Sequence, residues 1–206
     1  MKEEVKNQLI SHMMDFGLHM IGKGLANIVF AEYPYTYTHS MAVIHITHGV
    51  ELIIKSRIAQ EHPLLIFSKY PQNYTLINNQ KDLSELIENV QTIQYSELPE
   101  RLKVVTGYEI SDLNLFRKYG KLRNQIMHFA IPPNKNISFL SFHFIFKIVE
   151  KMVNDWWGDS VLNYGYIYDD CFIEYICEQL ARNRINLKDD YIRWLKDKHS
   201  INLYEY

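Results

Sequence analysis

Between Arg117 and Pro133 the sequence concentrates the residue types that could do chemistry. Four cations, Arg117, Lys118, Lys121 and Arg123, fall within seven positions, Asn124 follows directly, and His128 lies five residues past Arg123. Pro132 and Pro133 then stop whatever helix carries them, since proline lacks an amide donor and pushes the preceding residue away from helical geometry. His128 is therefore expected in a last helical turn, where a cation is favoured, on a side chain that titrates near neutral pH. Asn124 and His128 are four apart and share a helix face, about 40° apart around the axis. Arg123 stands about 140° from His128 in an ideal helix. Its long side chain, a bend, or a second copy of the helix is needed to bring guanidinium and imidazole together. An arginine, an amide and a histidine so grouped suit an anionic ester such as a phosphate. The same spacing also describes an amphipathic helix with a solvated basic side and a capping histidine.

The elements that must position these residues read as helices. Residues 4–31 carry Leu9, Met13, Phe16 and Met20 at helical spacing; Gly17, Gly22 and Gly24 mark close helix packing or a bend. Residues from about 38 to 60 form a second helix, with Met41, Ile44, His48 and Leu52 on one side and Thr47, Glu51 and Lys55 as a ladder beside them. Leu64–Phe67 fits either a helical turn or extended chain. Asp82-Leu83-Ser84-Glu85 is a capping box for a third helix, and Pro99 opens a short one through Val105. Ser111 or Asp112 caps the helix bearing the basic stretch, which buries Leu113, Phe116, Leu122 and Ile126. A strongly apolar helix spans about 138–157 and ends at Gly158. Two shorter helical stretches follow near 169–183 and 188–198. The expected architecture is all-α, a bundle of four to five main helices over residues 1–158, with a C-terminal helical extension, 159–206, packed on the same domain.

Composition narrows the function classes. At 206 residues the chain is long enough for one sizeable core. A net charge of −2 means that any nucleic-acid contact must rest on a local patch, and Arg117, Lys118 and Lys121 supply it. Aromatic residues make up 14% of the chain, suiting core, interfaces or base stacking. Cys171 and Cys177 lack metal-ligand spacing, and neither a signal core nor a membrane-length apolar run is present. A cytoplasmic protein without membrane contact is expected. His45, His48 and Glu51 could supply metal ligands, but with no HExxH or His-Asp pair beside them buried histidines are the better reading, and neither metal nor cofactor is expected. Gly22-Lys23-Gly24 lies inside a helical pattern and makes a poor phosphate loop.

Arg123-Asn124-x-x-x-His128, late in an all-helical chain, resembles the R-x4-6-H motif of the HEPN superfamily (higher eukaryotes and prokaryotes nucleotide-binding domains), in which a polar residue often follows the arginine. The segment from His48 to Lys55, followed by Arg57-Ile58-Ala59, is similar to an early helix of bacterial HEPN proteins. The resemblance covers roughly residues 10–155. It implies metal-independent endoribonuclease activity, with His128 as general base or acid, Arg123 neutralising the transition state and Asn124 orienting phosphate or imidazole. On a preceding helix Glu51 could pair with Arg123 and hold its fork, or form a solvent-facing pair with Lys55, and His48 would be a supporting, hydrogen-bonded neighbour. It further implies RNA as substrate and a homodimer with the motif helix at the interface. The biological role implied is that of a toxin or phage-defence effector, with a cognate antitoxin or defence-system partner. A HEPN-like module that binds a nucleotide or a partner without catalysis is the alternative. One toxin subgroup carries a tyrosine two residues past the histidine; Ala130 stands there, so the resemblance does not extend to that subgroup.

Overall fold

A computed structural model describes residues 3–30, 36–69, 91–129, 136–164, 175–176 and 178–181. Among these residues six α-helices form the protein and no strand occurs. They are α1 (Glu3–Val29), α2 (Thr36–Glu61), α3 (Leu98–Thr106), α4 (Leu113–His128), α5 (Ile137–Phe144) and α6 (Glu150–Trp157). The all-α expectation holds. No helix among the described residues is long and apolar enough to cross a membrane. The capping box at Asp82, the Pro132–Pro133 pair, Ala130, both cysteines and the 188–198 stretch lie outside the described residues.

The longest helices, α1 and α2, pack antiparallel along a seam of small residues. A Cβ added to Gly17 would lie 2.9 Å from the Gly49 carbonyl oxygen, and one added to Gly49 would lie 2.5 Å from the Gly17 oxygen. About two turns further along α1, Gly24 faces Ile46 and the Ala42 carbonyl at similarly short range. Of the two roles open to Gly17 and Gly24, close packing is the one realised, because α1 runs unbroken through both.

That seam also rotates α2 away from the expected stripe. Its buried apolar residues include Ala42, Val43, Ile46, Val50, Ile53, Ile54, Ile58 and Ala59, whereas Met41 and His48 are exposed and Ile44 and Leu52 only half-buried. Apolar residues occur all around this helix, so spacing alone cannot select the face; the backbone contact at Gly49 does. Phe16, one of the α1 residues at helical spacing, is exposed, stacked on His12 and edge-on to His48.

Pro63–Ile66 is a 3-10 turn, after which Phe67 pairs with Thr92 in an isolated antiparallel bridge. Leu64–Phe67 is therefore both helical turn and extended chain. The bridge, with Ser68 N–H donating to the Gln91 oxygen and Ile93 N–H to the Ile66 oxygen, delivers residues 91–97 against α2 and α4. Pro99 stands at the start of α3, and Gly107, with φ +73°, closes it.

Helices α5 and α6 are one continuous rod through a π-turn at Ile145–Val149, ended by Gly158 at φ +64°. The rod and α4 meet through stacked Tyr119 and Phe144, with ring centroids 4.1 Å apart. The buried Tyr119 hydroxyl shares a 2.8 Å hydrogen bond with Ser141. Tyr119→Phe should lower unfolding stability by about 1 kcal/mol, the net worth of one buried hydrogen bond, as read by denaturant melts. Residues 175–176 and 178–181 are helical, with Ile176 and Leu180 buried in the common core.

Candidate active site

Helix α4 is built to present one polar side. The Asp112 carboxylate caps it by accepting from the Leu115 amide at 2.8 Å. Ser111, the other cap candidate, instead donates to the Lys147 carbonyl on the π-turn. Phe116, Tyr119, Gly120 and Leu122 are buried, while Leu113 and Ile126 are half-buried. This leaves Arg117, Lys118, Lys121, Asn124 and His128 exposed and Arg123 partly covered. His128 is the last residue of the helix, as its position before the prolines implies.

The Arg123 side chain solves part of its angular problem within one chain. Its Nη1 donates to Asn124 Oδ1 at 3.1 Å, and its Nη2 lies 3.5 Å from Glu51 Oε2 on α2. Glu51 Oε1 meanwhile takes the Lys55 ammonium at 2.5 Å, and Lys55 donates also to the Thr92 hydroxyl at 2.9 Å. The two readings of Glu51, a helix pair with Lys55 and a clamp on Arg123, are thus both realised, one on each carboxylate oxygen. Neither is a solvent-facing pair, because only 7% of the Lys55 side chain and 16% of that of Glu51 remain exposed. Lys55 is the covered charge here, and losing its partner is costly. Glu51→Gln should lower stability by about 2 kcal/mol in urea unfolding, far beyond the few tenths expected of an exposed i, i+4 pair. A loss below 0.5 kcal/mol, at about the upper limit for such pairs, would show that Lys55 does not depend on this carboxylate.

Beside the Glu51–Arg123 pair opens a cavity of about 500 Å³, lined from α4 by Arg117, Gly120, Lys121, Arg123 and Asn124 and from the other side by Thr92, Gln94, Tyr95 and Ser96. The Tyr95 ring stacks on Phe116 at 4.5 Å and lies against α4 at Gly120, where an added Cβ would come within 2.5 Å of Tyr95 Cε1. Burial, and next the neighbouring Tyr119, push the Tyr95 phenol well above its ordinary range; Arg123 opposes this and Glu51 adds to it. Tyr95 is therefore a neutral hydroxyl at physiological pH and unsuited to act as a base.

The structure brings together Arg123, Asn124, Glu51, Arg117 and Lys121 at this cavity. Lys118 is exposed on α4 and does not line it. His128 lies one turn beyond Asn124, its ring edge-on to Phe129 with centroids 6.5 Å apart. His48, expected as a buried supporting group, is exposed and turned to Phe16, because the α1–α2 seam claims the neighbouring face of α2. His45 faces Asn27 at 3.4 Å, so His45, His48 and Glu51 diverge to three surroundings. Burial, then Lys23 and His48, lower the His45 pKa, and burial lowers that of His39 beside Ser138. Among the described residues no three His, Cys, Asp or Glu side chains are grouped as metal ligands would be.

Thr92, Tyr95 and Gly120 escaped the sequence reading of the site. Gly120, a poor helix former in the middle of a basic helix, was the available signal; Thr92 and Tyr95 arrive through the bridge at Phe67 and carry none. Compared with protein-family models, with curated proteins and with solved structures, the chain matches none.

Proposed function

We propose that this protein is a HEPN-type, metal-independent endoribonuclease that cleaves RNA by attack of a ribose 2′-hydroxyl on the adjacent phosphate. The observation that carries the reading is the clamp on Arg123. A guanidinium held by Glu51 from one helix and Asn124 from its own stands at the edge of a cation-lined cavity. Such a pre-positioned fork suits the extra negative charge that a phosphate gains as the 2′-oxygen adds. In this mechanism the 2′-oxygen forms the new P–O bond, the bond to the 5′-oxygen breaks, and the products end in a 2′,3′-cyclic phosphate and a 5′-hydroxyl. One proton leaves the 2′-hydroxyl and one reaches the leaving 5′-oxygen; His128 carries out one of these transfers and solvent water the other. Arg117, Lys118 and Lys121 track the RNA backbone.

His128 acts across a homodimer in this proposal. Met127 and Phe129, which flank it, are large apolar groups left 55% and 88% exposed. A second copy meeting the end of α4 would cover them and bring its own α4 to the shared site. A toxin or defence effector with a cognate inhibitory partner is the role that fits such an enzyme.

The second reading is a HEPN-like module that binds a nucleotide or partner without cleaving. One observation favours it: within a single chain His128 does not line the cavity. Incubating the purified protein with structured and single-stranded RNA in EDTA separates the two. Cleavage that survives EDTA is expected. No cleavage of any RNA would point to the binding module, and cleavage abolished by EDTA would remove the metal-free mechanism.

A further inference from the structure

We propose that the cavity beside Arg123 is a base-binding subsite, in which the nucleotide next to the bound phosphate lays its base against Tyr95. The inference rests on reading Arg123 and Asn124 as the phosphate-holding pair and adds what lies beyond the phosphate. A volume of about 500 Å³ far exceeds the need of a phosphate and falls within the range of small-molecule sites. Its walls are divided as a nucleotide is. Arg117, Lys121 and Arg123 supply positive charge along α4, whereas Tyr95 supplies an aromatic surface and Thr92 and Ser96 supply hydroxyls opposite.

The aromatic wall is held in advance. Phe116 stacks on the Tyr95 ring at an interplanar angle of 9°, and the bare Cα of Gly120 receives the ring edge. Little ordering is therefore left for the moment of binding, which favours affinity. Thr92 is fixed from behind, its oxygen accepting from buried Lys55, so its own O–H can point to an acceptor on a base edge. The network that clamps Arg123 thereby also sets a hydroxyl in the cavity wall: Glu51 holds Lys55, and Lys55 holds Thr92. Phosphate grip and base recognition share one support.

The test is equilibrium binding of the full chain to the four nucleoside 3′-monophosphates and to inorganic phosphate. At least one nucleotide should bind about 10-fold or more tightly than phosphate, in line with one base–aromatic stack. Tyr95→Ala should remove that advantage and leave phosphate affinity unchanged. Because Tyr95 is packed on Phe116, the exposed rim variant Ser96→Trp, which crowds the mouth without touching the core, should also remove the nucleotide's advantage over phosphate. Equal or undetectable binding of all five ligands, or an advantage that neither variant reduces, would overturn the subsite. RNA cleavage by the same preparations is scored apart from this. Cleavage without any nucleotide preference removes the subsite and leaves the ribonuclease, and preference without cleavage does the reverse.

Discussion

Arg123→Ala and His128→Ala should each slow RNA cleavage by about 10²–10⁴-fold, the usual loss on removing one positioned charge-stabilising or proton-transferring group. Both variants should remain folded. His128 is exposed at a helix end, and Glu51 keeps Lys55 when Arg123 is gone. The two losses have different origins and can be told apart. Arg123→Lys keeps a charge but loses the planar fork that meets Glu51 and Asn124 together, so it should recover only a small part of the rate. A His128→Ala enzyme mixed with an Arg123→Ala enzyme should regain activity if two chains share each site. Single-turnover cleavage of a labelled RNA reads all of these, with melting curves run beside it. If Arg123→Ala cleaves as fast as the unaltered protein, the clamp serves stability alone.

The largest effect on the fold is expected at Gly49. Its added Cβ would stand 2.5 Å from the Gly17 carbonyl oxygen and 2.7 Å from Ile21 Cγ1. The first neighbour is backbone and cannot swing aside, so α1 and α2 must separate. Gly49→Ala should lower stability by about 3 kcal/mol, the upper part of the range for overpacked cores, or roughly 6–12 °C in Tm for a chain of this size. Gly158 makes the informative contrast. It has a left-handed backbone with open space around it, so Gly158→Ala should cost only about 1–2 kcal/mol. Denaturant unfolding of the pair decides whether the helix seam or the helix stop matters more.

Gly49 also explains a limit of the sequence. Helix α4 was legible because its signals agree: Asp112 caps it, Phe116 and Leu122 mark its core side, and the cations mark the other. Helix α2 was not, because apolar residues surround it and the orientation is chosen by a glycine contact that spacing does not encode. His48 fell on the wrong side of that choice. The Glu51–Arg123 pairing was readable as chemistry, since a carboxylate on an early helix and an arginine on the motif helix are natural partners. That Glu51 would divide its two oxygens between Arg123 and Lys55 was not readable, nor that Thr92 would anchor Lys55 from behind. Those contacts depend on a bridge between Phe67 and Thr92 that is twenty-five residues long in sequence and has no local signature.

Arg123 shows the same division at the scale of one side chain. Ideal helix geometry places it about 140° from His128, and three routes to a shared site were open. The structure uses side-chain length to bring the guanidinium to Asn124, which occupies the His128 face one turn earlier. The imidazole itself remains outside the cavity, and a second copy of α4 is the route by which the proposed mechanism completes the site.

The chemistry of the cut ends distinguishes attack by the 2′-hydroxyl from attack by water. RNA digested in EDTA by the purified protein should give fragments ending in a 2′,3′-cyclic phosphate with 5′-hydroxyl partners, read by mass spectrometry. A substrate carrying a single 2′-deoxy residue at the cut site should stay intact there. Fragments with 3′-hydroxyl and 5′-phosphate ends would rule out the proposed transesterification, since water rather than the 2′-hydroxyl would then be the attacking group.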